Sequence, residues 1–308
     1  MDLSREFFID GILRPSFSQG MKTALWLLKL TIPVSFGVFL LDYLGILNAL
    51  AENTGSFFGM LGLSGKASIV LTTSYFTNIY SVIAVMATLD LSVREGLILA
   101  NMCLIAHSLI IETGIQQKTG SSTARMAVLR LATSFVAAWL LNHIIPVFEG
   151  HIQVQAENVE HGFLPGFIQW LKAMLVTSVK IVVLVNLLLV LQKMLSEMGI
   201  LKWLEKPFYP MLKLMGLPKE TSFLWLIANT LGLSYGGAVM ISQSAEGILS
   251  RRNADLLNHH IAISHSQLED TLLFAAMGFS LPWLVFPRFA LAIVVVWLRR
   301  LELSVLKK

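Results

Sequence analysis

Apolar residues gather into eight segments, at about residues 23–47, 67–89, 96–113, 126–148, 167–191, 222–245, 256–279 and 283–298. Each is long enough to cross or enter a hydrocarbon layer some 30 Å thick. Two stretches between them, 48–61 and 197–214, are too polar to span and carry the pattern of amphipathic surface helices. Each half of the chain therefore reads as a span, a surface helix and three further apolar segments. The first 22 residues set Arg5, Arg14 and Lys22 among Phe7, Phe8, Ile9, Ile12 and Leu13, and read as an interfacial segment rather than a cleaved leader.

Residue matches make this order an internal repeat. Residues 94–113, REGLILANMCLIAHSLIIET, align with 252–271, RNADLLNHHIAISHSQLEDT, at a constant offset of 158. His107-Ser108 falls on His265-Ser266, Glu112 on Asp270 and Thr113 on Thr271. Upstream the offset is 154, pairing Gly62-Leu63 with Gly216-Leu217 and Ala84-Val85-Met86 with Ala238-Val239-Met240.

Basic residues decide how the repeats thread. If all eight segments span, Lys and Arg divide ten against nine, and no side is favoured. If the second and sixth segments instead enter and return as helical hairpins, one side gathers sixteen. These are Arg5, Arg14, Lys22, Lys118, Arg125, five lysines from Lys193 to Lys219, Arg251, Arg252, Arg299, Arg300, Lys307 and Lys308. The other side keeps three, Lys66, Arg94 and Arg288. The hairpin arrangement gives the stronger positive-inside bias, with both termini cytoplasmic. It leaves six full spans and two re-entrant hairpins, with tips expected at residues 77–81 and at Leu233, Ser234, Tyr235, Gly236 and Gly237. Such broken helices in inverted repeats are a transporter arrangement.

Composition sharpens the class. Of 308 residues, 55% are apolar and 14% charged, with mean hydropathy +0.71, against roughly a quarter charged in soluble domains. An ordinary soluble enzyme is excluded. A net charge of +4 is accounted for by the topology signal, so no nucleic-acid partner is expected. The single cysteine, Cys103, supplies no disulfide framework. No HExxH, GxSxG or phosphate-binding loop occurs, and adjacent His-Ser on one helix would point about 100° apart. The expectation is therefore a protein that is not an enzyme.

The candidate chemistry lies in the duplicated segment. On a continuous helix Asn101, Ser108 and Glu112 form one stripe, and His259, Ser266 and Asp270 its counterpart. The second half adds His260, His265 and Glu269. Ionisable groups at this depth cost at least about 2.5–3.5 kcal/mol and should face a cavity or each other. Three uses are open: a structural lock between repeats, binding of a polar solute with Na⁺ or H⁺ as coupling ion, or a divalent metal held by His259, His260, His265, Glu269 and Asp270. Asn78, Asn229 and the residues of the second tip would complete a solute site. No cofactor is implied. Lys180, deep in the fifth segment and about two turns from Lys172 on the same face, calls for an acidic partner or a cavity.

The paired units, a surface helix, then GLSGK or GLPKE, a polar hairpin, and a span carrying HSLIIET or HSQLEDT, resemble the nucleoside-recognition or Gate domain family. That family includes proteins similar to spore maturation proteins A and B, and recurs in concentrative nucleoside transporters and ferrous-iron permeases. The resemblance covers about residues 20–300. It implies an all-α integral membrane protein of the bacterial inner membrane. Its organisation would be an interfacial segment (1–22), a first Gate-like repeat (23–148), an extracytoplasmic acidic loop (149–165), a second Gate-like repeat (166–300) and a cytoplasmic tail (301–308). The expected function is cation-coupled secondary transport of a small polar solute, nucleoside-like by analogy with the family. The site would comprise His107, Ser108, Glu112, Thr113, His265, Ser266, Glu269, Asp270 and Thr271 with the hairpin tips. The alternatives are a divalent-metal permease and a non-transporting partner in envelope or spore-type assembly. Expected contacts are the lipid bilayer, the solute, and a second copy or a second membrane protein.

Overall fold

In a computed structural model, residues 7–89, 91–146 and 162–305 are described, and among them the fold is helical with no strand. The first half comprises α1 (Arg14–Tyr43), α2 (Ile46–Gly59), α3 (Ala67–Phe76), α4 (Ile79–Met86), α5 (Val93–Ala106), α6 (Leu109–Lys118) and α7 (Thr123–Ile144). The second comprises α8 (Phe163–Glu197), α9 (Ile200–Leu214), α10 (Ser222–Thr230), α11 (Gly232–Ala245), α12 (Arg251–Ile261), α13 (Glu269–Ala275) and α14 (Leu281–Val305). Seven elements in one half match seven in the other. Among the described residues five stretches of helix, one fewer than the six full spans expected, are long and apolar enough to cross a membrane: Phe8–Tyr43, Val93–Lys118, Thr123–Ile144, Phe163–Glu197 and Leu281–Val305. This is an all-α integral membrane fold.

The backbone repeats in detail. Glycines in the left-handed region pair at the two offsets: Gly45 with Gly199 and Gly62 with Gly216 at 154, Gly120 with Gly278 at 158. Each lies in a turn after a helix, where only glycine enters that region without a steric penalty. Ser92 and Ser250, also 158 apart, cap α5 and α12 by accepting from the amides of Glu95 and Asn253. Such caps stabilise by about 1 kcal/mol each.

Contacts at the helix ends fix how the halves lie. The C-terminal part of α1 meets the start of α8 through Phe39 and Tyr43 on Phe163, whereas Gly20 near the start of α1 abuts Asn186 late in α8. These two equivalent helices run antiparallel. So do α7 and α14, because Arg125 at the start of α7 pairs with Glu302 at the end of α14.

The short hairpin α3–α4 has both feet at one end of the molecule. Ser64 before α3 bonds Glu95 at the start of α5, and α4 leads directly into α5. The hairpin α10–α11 has both feet at the opposite end. There Arg300 bonds Gly216 O, and Arg299 pairs with Asp255 2.7 Å away. Their arms of 8 to 14 residues extend about 12–21 Å at 1.5 Å per residue, short of a full crossing.

Several expectations are corrected. The interfacial segment is not separate: a π-helical stretch, Phe7–Leu13, runs straight into α1, so Arg14 and Lys22 belong to the spanning helix. The segment expected at 256–279 is two short helices separated by residues 262–268, not one continuous span. The second hairpin turns at Leu231–Gly232, where Gly232 has φ +82°, while Tyr235, Gly236 and Gly237 lie inside α11. Glycine serves there for close packing, since a Cβ on Gly236 would press on Ala228 of α10 and one on Gly237 on Ile115 of α6. Arg288, assigned to an outer loop, is wholly buried in α14. Most of the acidic loop at 149–165, and the side chain of Ser234, lie outside what the structure describes.

Candidate functional site

The duplicated HS motif is where each broken helix breaks. Ser108 and Ser266 have φ of 45° and 48°, the two non-glycine residues with positive φ among those described. The left-handed conformation costs a non-glycine residue about 1–2 kcal/mol, so each must be held. Ser108 donates its amide to Ser74 O and Thr77 O, and its hydroxyl to Thr77 O at 2.7 Å. Ser266 donates its amide to Ala228 O, and Leu268 donates to Asn229 O. Each hairpin tip is thereby bound to the break of its own half.

A broken helix frees carbonyls that lipid cannot satisfy. Arg130, fully buried on α7, takes two of them, donating from Nε to Ile105 O (2.8 Å) and from Nη2 to His107 O (2.7 Å). The same Nη2 pairs with Glu112 Oε2. Arg288, its partner at offset 158, donates from Nε to Leu284 O of its own helix (2.8 Å) and from Nη2 to two side chains, Gln267 Oε1 (2.9 Å) and Thr271 Oγ1 (2.6 Å).

The breaks bring four predicted residues together across the two halves. His107 Nε2 lies 3.0 Å from Glu112 Oε1 and 3.5 Å from Asp270 Oδ2, and His265 Nε2 lies 3.3 Å from the same Glu112 Oε1. The imidazole centroids are 5.1 Å apart. All four residues are buried. The ring nitrogens away from the cluster are fixed alike, His107 Nδ1 donating to Cys103 O (3.0 Å) and His265 Nδ1 to Ile261 O (2.7 Å). A backbone carbonyl accepts only from an N–H, so in the neutral tautomer both Nε2 atoms present lone pairs to the centre. His107, Glu112 and His265 can each offer one ligand atom, all within 4.8 Å of one another.

Neither a family model nor a solved structure matches the chain. It is 30% identical over 286 residues to YvoD, an uncharacterized membrane protein of Bacillus subtilis (strain 168), and the match covers 89% of this chain and 88% of YvoD. The chain belongs to the YvoD family.

Glu269 of this YvoD-family chain occupies a neighbouring position. It accepts from Tyr80 of α4 (3.0 Å) and Gln192 of α8 (3.1 Å), so it ties the first hairpin to the second half. Ser108 and Ser266 set the backbone at the breaks, and Thr113 bonds back to Leu109 O within its own helix. Asn78 caps α4 through the Ser81 amide, and Asn229 Nδ2 donates to Trp225 O. Tyr235 is exposed on α11.

His259 and His260 do not join the cluster. His259 Nδ1 donates to Asp255 O, and His260 accepts from Trp225 Nε1 at 3.2 Å. The expected stripe fails for the same reason as the continuous helix: after the break, Asn101 remains on α5 and donates to Leu97 O and Trp283 O. Lys172 and Lys180 line a separate cavity of about 590 Å³ with Ile83 of α4 and Leu273 of α13, and no cluster residue lines it.

Sequence reasoning missed Arg130 and Arg288. The signal was present, because the two arginines stand at the same offset of 158 as the HS motifs.

Proposed function

We propose that this protein is a secondary transporter of a small polar solute or ion, driven by a cation, with two inverted repeats that meet at the His107, Glu112, His265 and Asp270 cluster. One observation carries the reading. Two helices equivalent by sequence are each broken at an HS motif, and the breaks bring buried imidazoles and carboxylates from both halves into one site. Antiparallel equivalents, and hairpins entering from opposite ends, support inversion, and broken helices at a repeat interface are where transporters bind their ions. The motifs add the resemblance to Gate domains. In this reading the membrane is the bacterial inner membrane, with both termini cytoplasmic, and the role is transport rather than catalysis.

The test begins with the purified protein in detergent, screened for thermal stabilisation by nucleosides, small organic anions and Na⁺, and across pH. A ligand that binds only the folded state raises its apparent stability. Flux of the hit is then followed in proteoliposomes. The E112Q/D270N double variant should insert normally and lose flux. Unaltered flux through that variant would overturn the reading.

A further inference from the structure

From the donor geometry we infer that the cluster is a binding site for one divalent transition-metal ion, ligated by His107 Nε2, His265 Nε2 and Glu112 Oε1, whose donor atoms all lie within 4.8 Å of one another. The ion's role as cargo or coupling ion rests on the transport reading; its binding does not.

Spacing is the first argument. Metal–ligand bonds of about 2.0–2.2 Å at tetrahedral angles put neighbouring donors roughly 3.3–3.6 Å apart. Glu112 Oε1 lies 3.0 Å from His107 Nε2 and 3.3 Å from His265 Nε2. Asp270 Oδ2, 3.5 Å from His107 Nε2, stands beside this set.

The second argument is the orphaned lone pair. His265 is 1% exposed, and its Nε2 makes no hydrogen bond. An imidazole buried with its lone pair facing a carboxylate oxygen is repelled by it, and a cation between them reverses the sign. The Nδ1–H bonds to Cys103 O and Ile261 O supply the anchoring that metal-ligating histidines ordinarily have.

Charge is the third. The carboxylates of Glu112 and Asp270, one from each half, both lie against His107 Nε2, so anionic oxygens converge beside the imidazoles. Arg130 engages only Oε2 of Glu112 and leaves Oε1 free for the ion. Two imidazoles with a carboxylate suit Zn²⁺, Fe²⁺, Co²⁺ or Mn²⁺, whereas Mg²⁺ and Ca²⁺ prefer all-oxygen shells.

The experiment is equilibrium dialysis of the full-length, chelator-stripped protein in detergent against Zn²⁺ and Co²⁺, without any flux measurement. Wild type should bind one ion per chain. His265→Ala should lose affinity by about 100-fold or more, beyond the 10–100-fold typical of second-shell changes. His259→Ala should bind as wild type does. X-ray absorption on the Zn²⁺-loaded wild type, which does not depend on any variant folding, should give a nitrogen and oxygen shell containing two imidazoles. Absence of binding, binding unchanged in His265→Ala, or a shell without imidazole would overturn the site. Metal binding without flux would instead count against transport alone, and flux of a solute without metal binding would count against the metal site alone.

Discussion

Arg130 and Arg288, 158 residues apart, are both fully buried and both donate into the break of a broken helix. Their chemistry differs. Arg130 reaches backbone carbonyls and Glu112, whereas Arg288 reaches the side chains of Gln267 and Thr271. At equivalent offsets the two arginines thus hold different partners.

That difference separates the consequences of removing each arginine. Arg130→Ala strands two buried carbonyls and leaves Glu112 without its arginine partner. Breaking a buried pair from one side costs about 3–5 kcal/mol. Arg130→Lys keeps the charge but not the planar fork that spans Ile105 O, His107 O and Glu112, and should fall between. Arg288→Ala removes bonds to two side chains that already bond each other, Thr271 Oγ1 donating to Gln267 Oε1 at 3.4 Å, and should cost less than Arg130→Ala. Thermal unfolding of the three variants in one detergent gives the order directly.

The two strained serines differ as well. Replacing either by glycine relieves a left-handed conformation, worth about 1–2 kcal/mol. Ser108 also loses its hydroxyl bond to Thr77 O, worth about 0.5–1.5 kcal/mol. Ser108→Gly should therefore be near neutral, and Ser266→Gly should raise the unfolding temperature. Valine at either position should be strongly destabilising, because a β-branched residue is poorly accommodated there.

Much of the architecture was legible because membrane folds write long periods into the sequence. The apolar segments located the long helices within several residues, and the offset match located the repeat. The first hairpin turned where Asn78 offers a cap. What escaped were the breaks at Ser108 and Ser266. Neither glycine nor proline marks them, and the backbone there is held by carbonyls of Ser74, Thr77 and Ala228, thirty to forty residues away in sequence. A one-helix stripe consequently misplaced Asn101 and His259, while His107, His265, Glu112 and Asp270 were found because both halves carry them. The second hairpin tip was set too late, at glycines used for packing rather than turning.

Gly237 tests that distinction. A methyl group there meets the Ile115 side chain across the interface between α11 and α6. Overpacking of this kind typically costs about 1–3 kcal/mol. Gly237→Ala should lower stability by that order, and Ile115→Ala should recover part of the loss in the double variant. If Gly237 were instead needed for a backbone turn, the second change would recover nothing. Unfolding of the two single variants and the double variant, compared as a cycle, decides between the two roles.

Sidedness can be read with thiol reagents, because Cys103 is the single cysteine and is buried. Gly120 packs on Arg251, and Ser121 bonds Asp255, so the α6–α7 turn and the start of α12 share one end. Arg94, bonded to Asn142, marks the other. In a Cys103→Ala background, Lys118→Cys and Arg252→Cys should react with a membrane-impermeant maleimide from the same side in oriented vesicles. Lys66→Cys should react only from the opposite side. The positive-inside count makes the Lys118 side cytoplasmic. If all eight segments crossed, Lys118 and Arg252 would lie on opposite faces, so labelling of the two from different sides would refute the hairpin threading.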